Sequence, residues 1–204
     1  MIDLEALRNA PVESDPFDHL IVPQFIAADA LPQIEADFPG DIGPGSYPLA
    51  SLRCGPSFTR LAEAIQGHDM SAILGEKFGL PLTEHPTMVT VRGQCRPTDG
   101  KIHTDSSGKL VTVLLYINDG WDASGGRLRL LRAANDIDDY AVEVPPGAGT
   151  LLAFRCAANA WHGHKPFEGP RRSLQLNWVR DAAYLRKEQV RHRVSAFFKK
   201  VSFG

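Results

Sequence analysis

Apolar and polar residues alternate with a period of two in the C-terminal half of the chain, and that period predicts strands. Lys109 to Asn118 reads Lys-Leu-Val-Thr-Val-Leu-Leu-Tyr-Ile-Asn, rich in β-branched residues and bounded by Ser106-Ser107-Gly108 and Asp119-Gly120. Val111, Val113, Leu115 and Ile117 form one wholly apolar face, suited to packing against helices. Thr112, Leu114 and Tyr116 form the other, whose hydroxyl and phenol suit the wall of a polar pocket better than a dry core. After Pro170 the pattern repeats, with Arg171, Ser173, Gln175 and Asn177 on one face and Arg172, Leu174, Leu176 and Trp178 on the other. Between them, Gly125-Gly126 turns into a strand to Leu131, Tyr140 to Val144 precedes the Pro145-Pro146-Gly147 turn, and Thr150 to Phe154 is a further strand. Many short strands joined by Gly and Pro turns predict a jelly roll.

The first 86 residues carry a helical period and predict a supporting layer. Asp15 to Phe25 reads as an extended segment in which His19 is a core or edge histidine. Asp29 is expected to cap a helix running through Phe38, with Pro32 in its first turn and Pro39-Gly40 ending it. Residues 41 to 56 read as a Gly/Pro loop. Helices follow from Ser57 to Gln66 and from Asp69 to Phe78, the second stopped by Gly79 and Pro81. Their Leu61, Ile65, Ile73, Leu74 and Phe78 should cover the apolar face of a barrel sheet. Asp181 to Val201 is a basic helix, with Leu185, Val190, Val194 and Phe197 expected to dock on the body and Arg186, Lys187, Arg191, Arg193, Lys199 and Lys200 to be solvated. The expected class is therefore α+β, mainly β: one domain over 1–204, with helical support over 1–86, a double-stranded β-helix (jelly roll) core over 87–180, and the C-terminal helix over 181–204.

Composition changes this picture little. The chain has 204 residues and a formal net charge of −2, which argues against strong steering to a polyanion. The basic tail lacks a recognised nucleic-acid motif. The N-terminus shows no secretory pattern, and no apolar run is long enough for a membrane span. Cys54, Cys95 and Cys156 are odd in number and irregularly spaced, which predicts reduced thiols and a cytoplasmic setting.

The chemistry is concentrated in His103-Thr104-Asp105 and His162. Two imidazoles and one carboxylate can occupy one face of an octahedral metal and leave the opposite face open. His-x-Asp alone is common, and here it lies in a run of turn formers that needs no metal. Nine residues beyond His162 stands Arg171-Arg172-Ser173. Arg171 shares the hydrophilic strand face, so its planar fork is the candidate carboxylate anchor, with Ser173 adding a hydrogen bond. Arg172 belongs to the face of Leu174 and Trp178 and should extend its stem toward solvent. Together these residues suggest an iron oxygenase that consumes 2-oxoglutarate.

In its order of motifs the chain resembles the non-haem Fe(II)- and 2-oxoglutarate-dependent oxygenases, closest to their prolyl-4-hydroxylase-like branch. The pattern is His103-x-Asp105, Tyr116-x-Asn118, Gly125-Gly126, Pro146-Gly147, Phe154, His162 to Pro166, and Arg171-x-Ser173, covering residues 87 to 180. The resemblance implies that His103, Asp105 and His162 bind Fe(II), that Arg171 and Tyr116 hold the distal carboxylate of 2-oxoglutarate, and that Thr112, Leu114 and Ser173 line the same cavity. It implies O2-dependent hydroxylation of an unactivated C–H with release of succinate and CO2, ascorbate serving as reductant. The related halogenases have a small residue in place of Asp105, so its presence favours hydroxylation.

Two positions depart from the branch. Arg92 replaces a common tyrosine on the strand before the metal motif, where it can meet an anionic substrate or support the cosubstrate. His164 stands where a small apolar residue is usual, although the spacing to Pro166 favours His162 as the ligand. A competing pattern, His162-x-His164-x3-Glu168, resembles metal-binding cupins that do not turn over 2-oxoglutarate. The substrate, small-molecule or peptidyl, is not read from the sequence; its selectivity is expected in mouth loops carrying Arg96, Lys101, Trp121, Arg132, Asp138, Asp139 and Trp161.

Overall fold

Two antiparallel sheets face one another across a polar cleft in a computed structural model that describes residues 1–40 and 42–201, with side chains as far as Arg191. The larger sheet is built from β1 (His19–Val22), β2 (Tyr47–Pro48), β3 (Thr87–Cys95), β4 (Lys109–Tyr116), β7 (Leu151–Arg155) and β9 (Gly169–Val179), in the order β1-β7-β4-β9-β3-β2. The smaller sheet has the order β6-β5-β8, from β5 (Leu128–Leu131), β6 (Tyr140–Val144) and β8 (His162–Gly163). This is the jelly-roll arrangement predicted by the strand pattern. Residue 41 lies outside the described chain, as do the side chains of Arg193, Val194, Phe197, Lys199 and Lys200.

Alternation along β4 and β9 assigns the two faces of the larger sheet. Val111, Val113, Leu115, Leu174, Leu176 and Trp178 are fully buried in one cluster with Phe58, Leu61, Ile65, Leu74 and Phe78 from α3 (Pro56–Ile65) and α4 (His68–Phe78). The opposite face turns into the cleft, where Tyr116, Leu152 and Phe154 pack with Leu128, Leu130 and Val144 of the smaller sheet at one end. Burying a side chain of this size removes roughly 1.5–3 kcal/mol of exposure cost, so a shift of register by one residue, which would exchange the faces, is excluded. The same face carries Arg92, Ser173 and Tyr116 in one cross-strand row, and Met88, Asn177 and Thr112 in another.

Several N-terminal details differ from expectation. The helix predicted from Asp29 is only α2, Leu31–Ala36, and its N-cap is Ala30, with no side-chain cap. A carboxylate cap does form nearby. Asp37 accepts the Ser57 backbone N–H at 2.6 Å, which caps α3 and holds the Asp37 carboxyl below the usual carboxylate range. Helix α1, Leu4–Asn9, was not predicted; Asp3 caps it by accepting the Ala6 N–H. The expected Gly/Pro loop contains β2, which pairs Tyr47 and Pro48 with Val91 and Thr90. His19 is buried on edge strand β1 with its ring against Phe17, as a core histidine should be. In α5, Ala182–Val201, Val190 is 60% exposed and so is not part of a docked face, whereas Glu188 is buried.

Candidate metal centre

His103 and His162 reach each other through the backbone. The two residues form an antiparallel bridge, each amide N–H donating to the other's carbonyl, at 3.0 and 2.9 Å. This extends the smaller sheet by one residue and brings the rings together, with centroids 4.3 Å apart and planes tilted by 57°. Gly163 permits it, because a Cβ there would lie 2.8 Å from the Gly100 carbonyl oxygen. Asp105 swings back beneath the pair, and one ligand atom from each of His103, Asp105 and His162 lies within 4.8 Å of the others.

The donor chemistry fits a divalent metal. Nδ1 of His103 lies 2.8 Å from the Lys101 carbonyl and Nδ1 of His162 lies 2.9 Å from the Ala160 carbonyl, so each Nδ1–H is committed and each Nε2 is the available donor. Burial, and secondarily the neighbouring His103, lower the His162 pKa to about 4, so the ring is neutral, as ligation requires. Burial alone would push the Asp105 carboxyl up. The ammonium of Lys109, 2.7 Å from Oδ1, the nearby His162 and the hydroxyl of Thr112, 2.5 Å from Oδ2, outweigh it and hold Asp105 below its ordinary value. Thr112 is in turn fixed by the Asn177 amide, which donates to its hydroxyl at 2.7 Å. Cys156 lies 3.3 Å from the same hydroxyl, and burial followed by the charge of Asp105 pushes its thiol up to about 12.

Sequence reasoning missed Lys109, Asn177 and Cys156. Lys109 is four residues from Asp105, but that spacing signals contact only on a helix, and the segment is a turn entering β4. The pairing His162-x-His164-x3-Glu168 does not assemble: His164 and Glu168 are outside the donor cluster, and Glu168 is exposed. A cupin-type site is therefore not formed.

Beyond the donors a cavity opens, lined by Thr90, Arg92, Thr112, Leu114, Arg171, Ser173 and Gln175 of the larger sheet, with Ser46, Gly100 and His164 at its other walls. Arg171 is 5% exposed. Its Nε donates to the Gly126 carbonyl at 2.7 Å and its guanidinium stacks 5.2 Å from the Tyr116 ring centroid. That leaves the terminal fork without a carboxylate partner among the described residues, beside Tyr116 Oη at 3.5 Å. Gly126 has φ +74°, and the Gly-Gly turn thereby presents the carbonyl that aims Arg171. Arg172 faces outward over the Phe38 ring, as the alternation predicted. Asn118 secures the start of this strand segment, accepting the Arg172 N–H at 2.6 Å and donating to the Pro146 carbonyl at 2.6 Å. Of the loop side chains expected at the mouth, Arg96, Lys101, Trp121, Arg132, Asp138, Asp139 and Trp161 do not line the cavity. Several are committed elsewhere: Arg132 pairs with Asp15 and Asp139, Asp138 with Arg129 and Lys165, and Trp121 packs on Phe167.

Residues 94–180 match the sequence profile of the 2OG-Fe(II) oxygenase superfamily. The fold is shared with solved structures of low identity. A Pseudomonas putida prolyl-4-hydroxylase aligns at TM-score 0.60 and 18% identity, over 88% of this chain and 97% of that one. HygX from Streptomyces hygroscopicus, solved with nickel and 2-oxoglutarate, aligns at 0.54 and 15% over 80% and 83%. A Trichoplax adhaerens prolyl hydroxylase in complex with a hypoxia inducible factor peptide aligns at 0.51 and 18% over 84% and 86%. No curated protein sequence matches the chain. No helix among the described residues is long and apolar enough to cross a membrane.

Proposed function

We propose that the chain is an Fe(II)- and 2-oxoglutarate-dependent hydroxylase, working as one unit over its whole length. The observation that carries this reading is the donor cluster of His103, Asp105 and His162 in the same cavity as a buried arginine fork without a carboxylate partner. Bound iron with 2-oxoglutarate and O2 would supply the oxidising equivalent for inserting oxygen into a C–H bond, with succinate and CO2 as co-products.

The residues divide the remaining tasks. Thr112 and Lys109 fix both oxygens of the Asp105 carboxylate, and the carbonyls of Lys101 and Ala160 orient the two imidazoles. Along β4, Thr112 stands beside Asp105 and Tyr116 beside Arg171, four residues apart and thus about 13 Å of strand. Asp105 and Arg171 line the same cavity, as the two ends of a dicarboxylate require. Arg171 offers two parallel donors to its distal carboxylate, while Tyr116 and Ser173 supply hydroxyls. Leu114 contributes an apolar wall between the two ends. The free thiols suit the reducing cytoplasm in which Fe(II) persists.

Anaerobic titration with Fe(II) and then 2-oxoglutarate tests this, read from the visible charge-transfer band of the chelate. Wild type should show a saturable band. Arg171→Met should keep iron binding and weaken 2-oxoglutarate by about 3 kcal/mol, roughly 150-fold, for loss of a charged two-pronged contact. Iron binding with no band in wild type would refute the reading.

A further inference from the structure

The primary substrate is the partner of this site still unaccounted for, and the inference that follows rests on the oxygenase reading. Once the metal donors and the Arg171 anchor are set aside, two ionisable side chains of the cavity lining remain, Arg92 and His164. They are the two positions that depart from the family pattern, and one turn joins them. Asp99 pairs with Arg92 at 2.8 Å, while the next residue, Gly100, accepts the His164 backbone N–H at 2.9 Å. Gly100 has φ +82°, and a Cβ there would sit 2.3 Å from the His164 ring, so the turn is shaped around that imidazole.

We propose that Arg92 and His164 form the primary-substrate subsite, with the substrate presenting a carboxylate to Arg92 and a hydrogen-bond donor to the Nε2 of His164.

The hydrogen bonding of Arg92 supports this. Its bonds to Asp99 and to the Cys95 sulfur both use Nη1, and Nη2 makes only a 3.5 Å contact with Ser46. No described residue bonds Nε. The edge formed by Nε and Nη2 is therefore open, and that planar pair of donors matches a carboxylate. Asp99 holds the guanidinium from the opposite corner and so reduces the side-chain freedom lost on binding. His164 is similarly committed at one nitrogen, with Nδ1 2.8 Å from the Lys165 carbonyl, which leaves Nε2 as the nitrogen for a ligand.

The placement of the two arginines separates their roles. In the strand order β4-β9-β3-β2, Arg171 leans across toward Tyr116 on β4 and is buried. Arg92 stands on β3 beside the edge strand, with its side chain 26% exposed. Arg171 thus serves the enclosed end and Arg92 the open one. A molecule anchored at Arg92 extends its carbon skeleton into the cavity that the metal donors line. A neutral peptide backbone would leave the open guanidinium edge without a charge partner, which is why a free acid is favoured over an internal peptidyl residue.

The test uses the full chain loaded with Fe(II) and 2-oxoglutarate and measures succinate release stimulated by matched pairs of L-amino acids and 2-hydroxy acids against their primary amides. At least one acid should stimulate release tenfold more than its amide. Arg92→Met should abolish that preference while 2-oxoglutarate affinity, read from the charge-transfer band, stays within threefold of wild type. Arg92→Lys should retain part of it, and His164→Ala should raise the acid's KM. Equal stimulation by amides, no acid preferred over its amide, or stimulation confined to proline-containing peptides would each overturn the subsite. A tenfold loss of 2-oxoglutarate affinity in Arg92→Met with the acid preference intact would overturn it too, by moving Arg92 to the cosubstrate. Should Arg92→Met fail to fold, the acid and amide comparison on wild type decides alone. No band in wild type would refute the oxygenase reading itself and the subsite with it.

Discussion

Replacing Asp105 by alanine should destabilise the metal-free protein, although removing a ligand carboxylate from a site without its metal ordinarily relieves charge. The reason is Lys109. Its ammonium lies 2.7 Å from Asp105 Oδ1, and the two side chains are only 12% and 9% exposed. Asp105→Ala leaves that ammonium in a low-dielectric pocket with no anion, and breaking a buried pair in this way costs about 3–5 kcal/mol. The lower end applies, because the four-carbon stem lets the ammonium turn partly toward water. About 3 kcal/mol in a chain of this size lowers the midpoint by roughly 6–12 °C. The assay is thermal or urea unfolding in the presence of chelator. A double variant, Asp105→Ala with Lys109→Met, should recover most of the loss, since both charges are then gone and the methionine keeps the packing. An Asp105→Ala protein as stable as wild type without metal, or a double variant no better than the single one, would refute a stabilising role for the pair.

Two further outcomes follow from the same geometry. His162 and His164 both have pKa values lowered to about 4, so the unfolded chain takes up protons first as pH falls, and stability is lost from about pH 6.5 downward until the folded rings titrate near 4. The metal-free protein should therefore lose about 2 kcal/mol per ring between pH 7 and pH 5, and His164→Gln should flatten the urea-midpoint profile; a flat wild-type profile over that window would count against buried neutral imidazoles. The depressed Asp105 carboxyl acts in a lower window, contributing stability above its unfolded value of about 4 that is lost only as pH falls through its folded pKa. Gly163→Ala puts a methyl 2.8 Å from the Gly100 carbonyl and must push apart the strands that pair His103 with His162; a stability loss of about 1–3 kcal/mol with at least tenfold weaker Fe(II) binding by anaerobic titration is expected, and unchanged iron affinity would show that the bridge does not set the donors.

How much was legible in the sequence depended on whether the signal was local. The faces of β4 and β9 could be read because alternation is a property of consecutive residues, and it separated Arg171 from Arg172 correctly. The helix stop at Gly79 was equally local: its φ of +64° is the left-handed cap that glycine adopts freely. The cap at Asp29 failed because an aspartate before a helix fits many turns, and the tertiary path instead delivered Asp37 to α3. Lys109, Asn177 and Gly126 were invisible as site residues for a different reason. Each acts through a partner that pairing of separate segments brings near: Asp105 across a turn, Thr112 across β4 and β9, and Arg171 across 45 positions. The expected mouth residues do not line the cavity, because composition marks loops as exposed without saying which of their charges are neutralised, as Arg132 is by Asp139 and Asp138 by Arg129 and Lys165.

The metal donors and the anion end are coupled through the sheet rather than assembled as two independent clusters. Thr112 bonds Asp105 and is bonded by Asn177 of β9, the strand that also carries Ser173 and Arg171. Asn118 at the end of β4 clamps Arg172, which fixes the neighbouring Arg171 relative to the same strand. A slip of β9 against β4 would therefore disturb Asp105 and Arg171 together. Such a slip is opposed on the other face by Val113, Leu115, Leu174, Leu176 and Trp178, all fully buried. The helical layer that covers those residues consequently acts on the site through register, and the separation between the proposed metal donors and Arg171 is as rigid as the core beneath it.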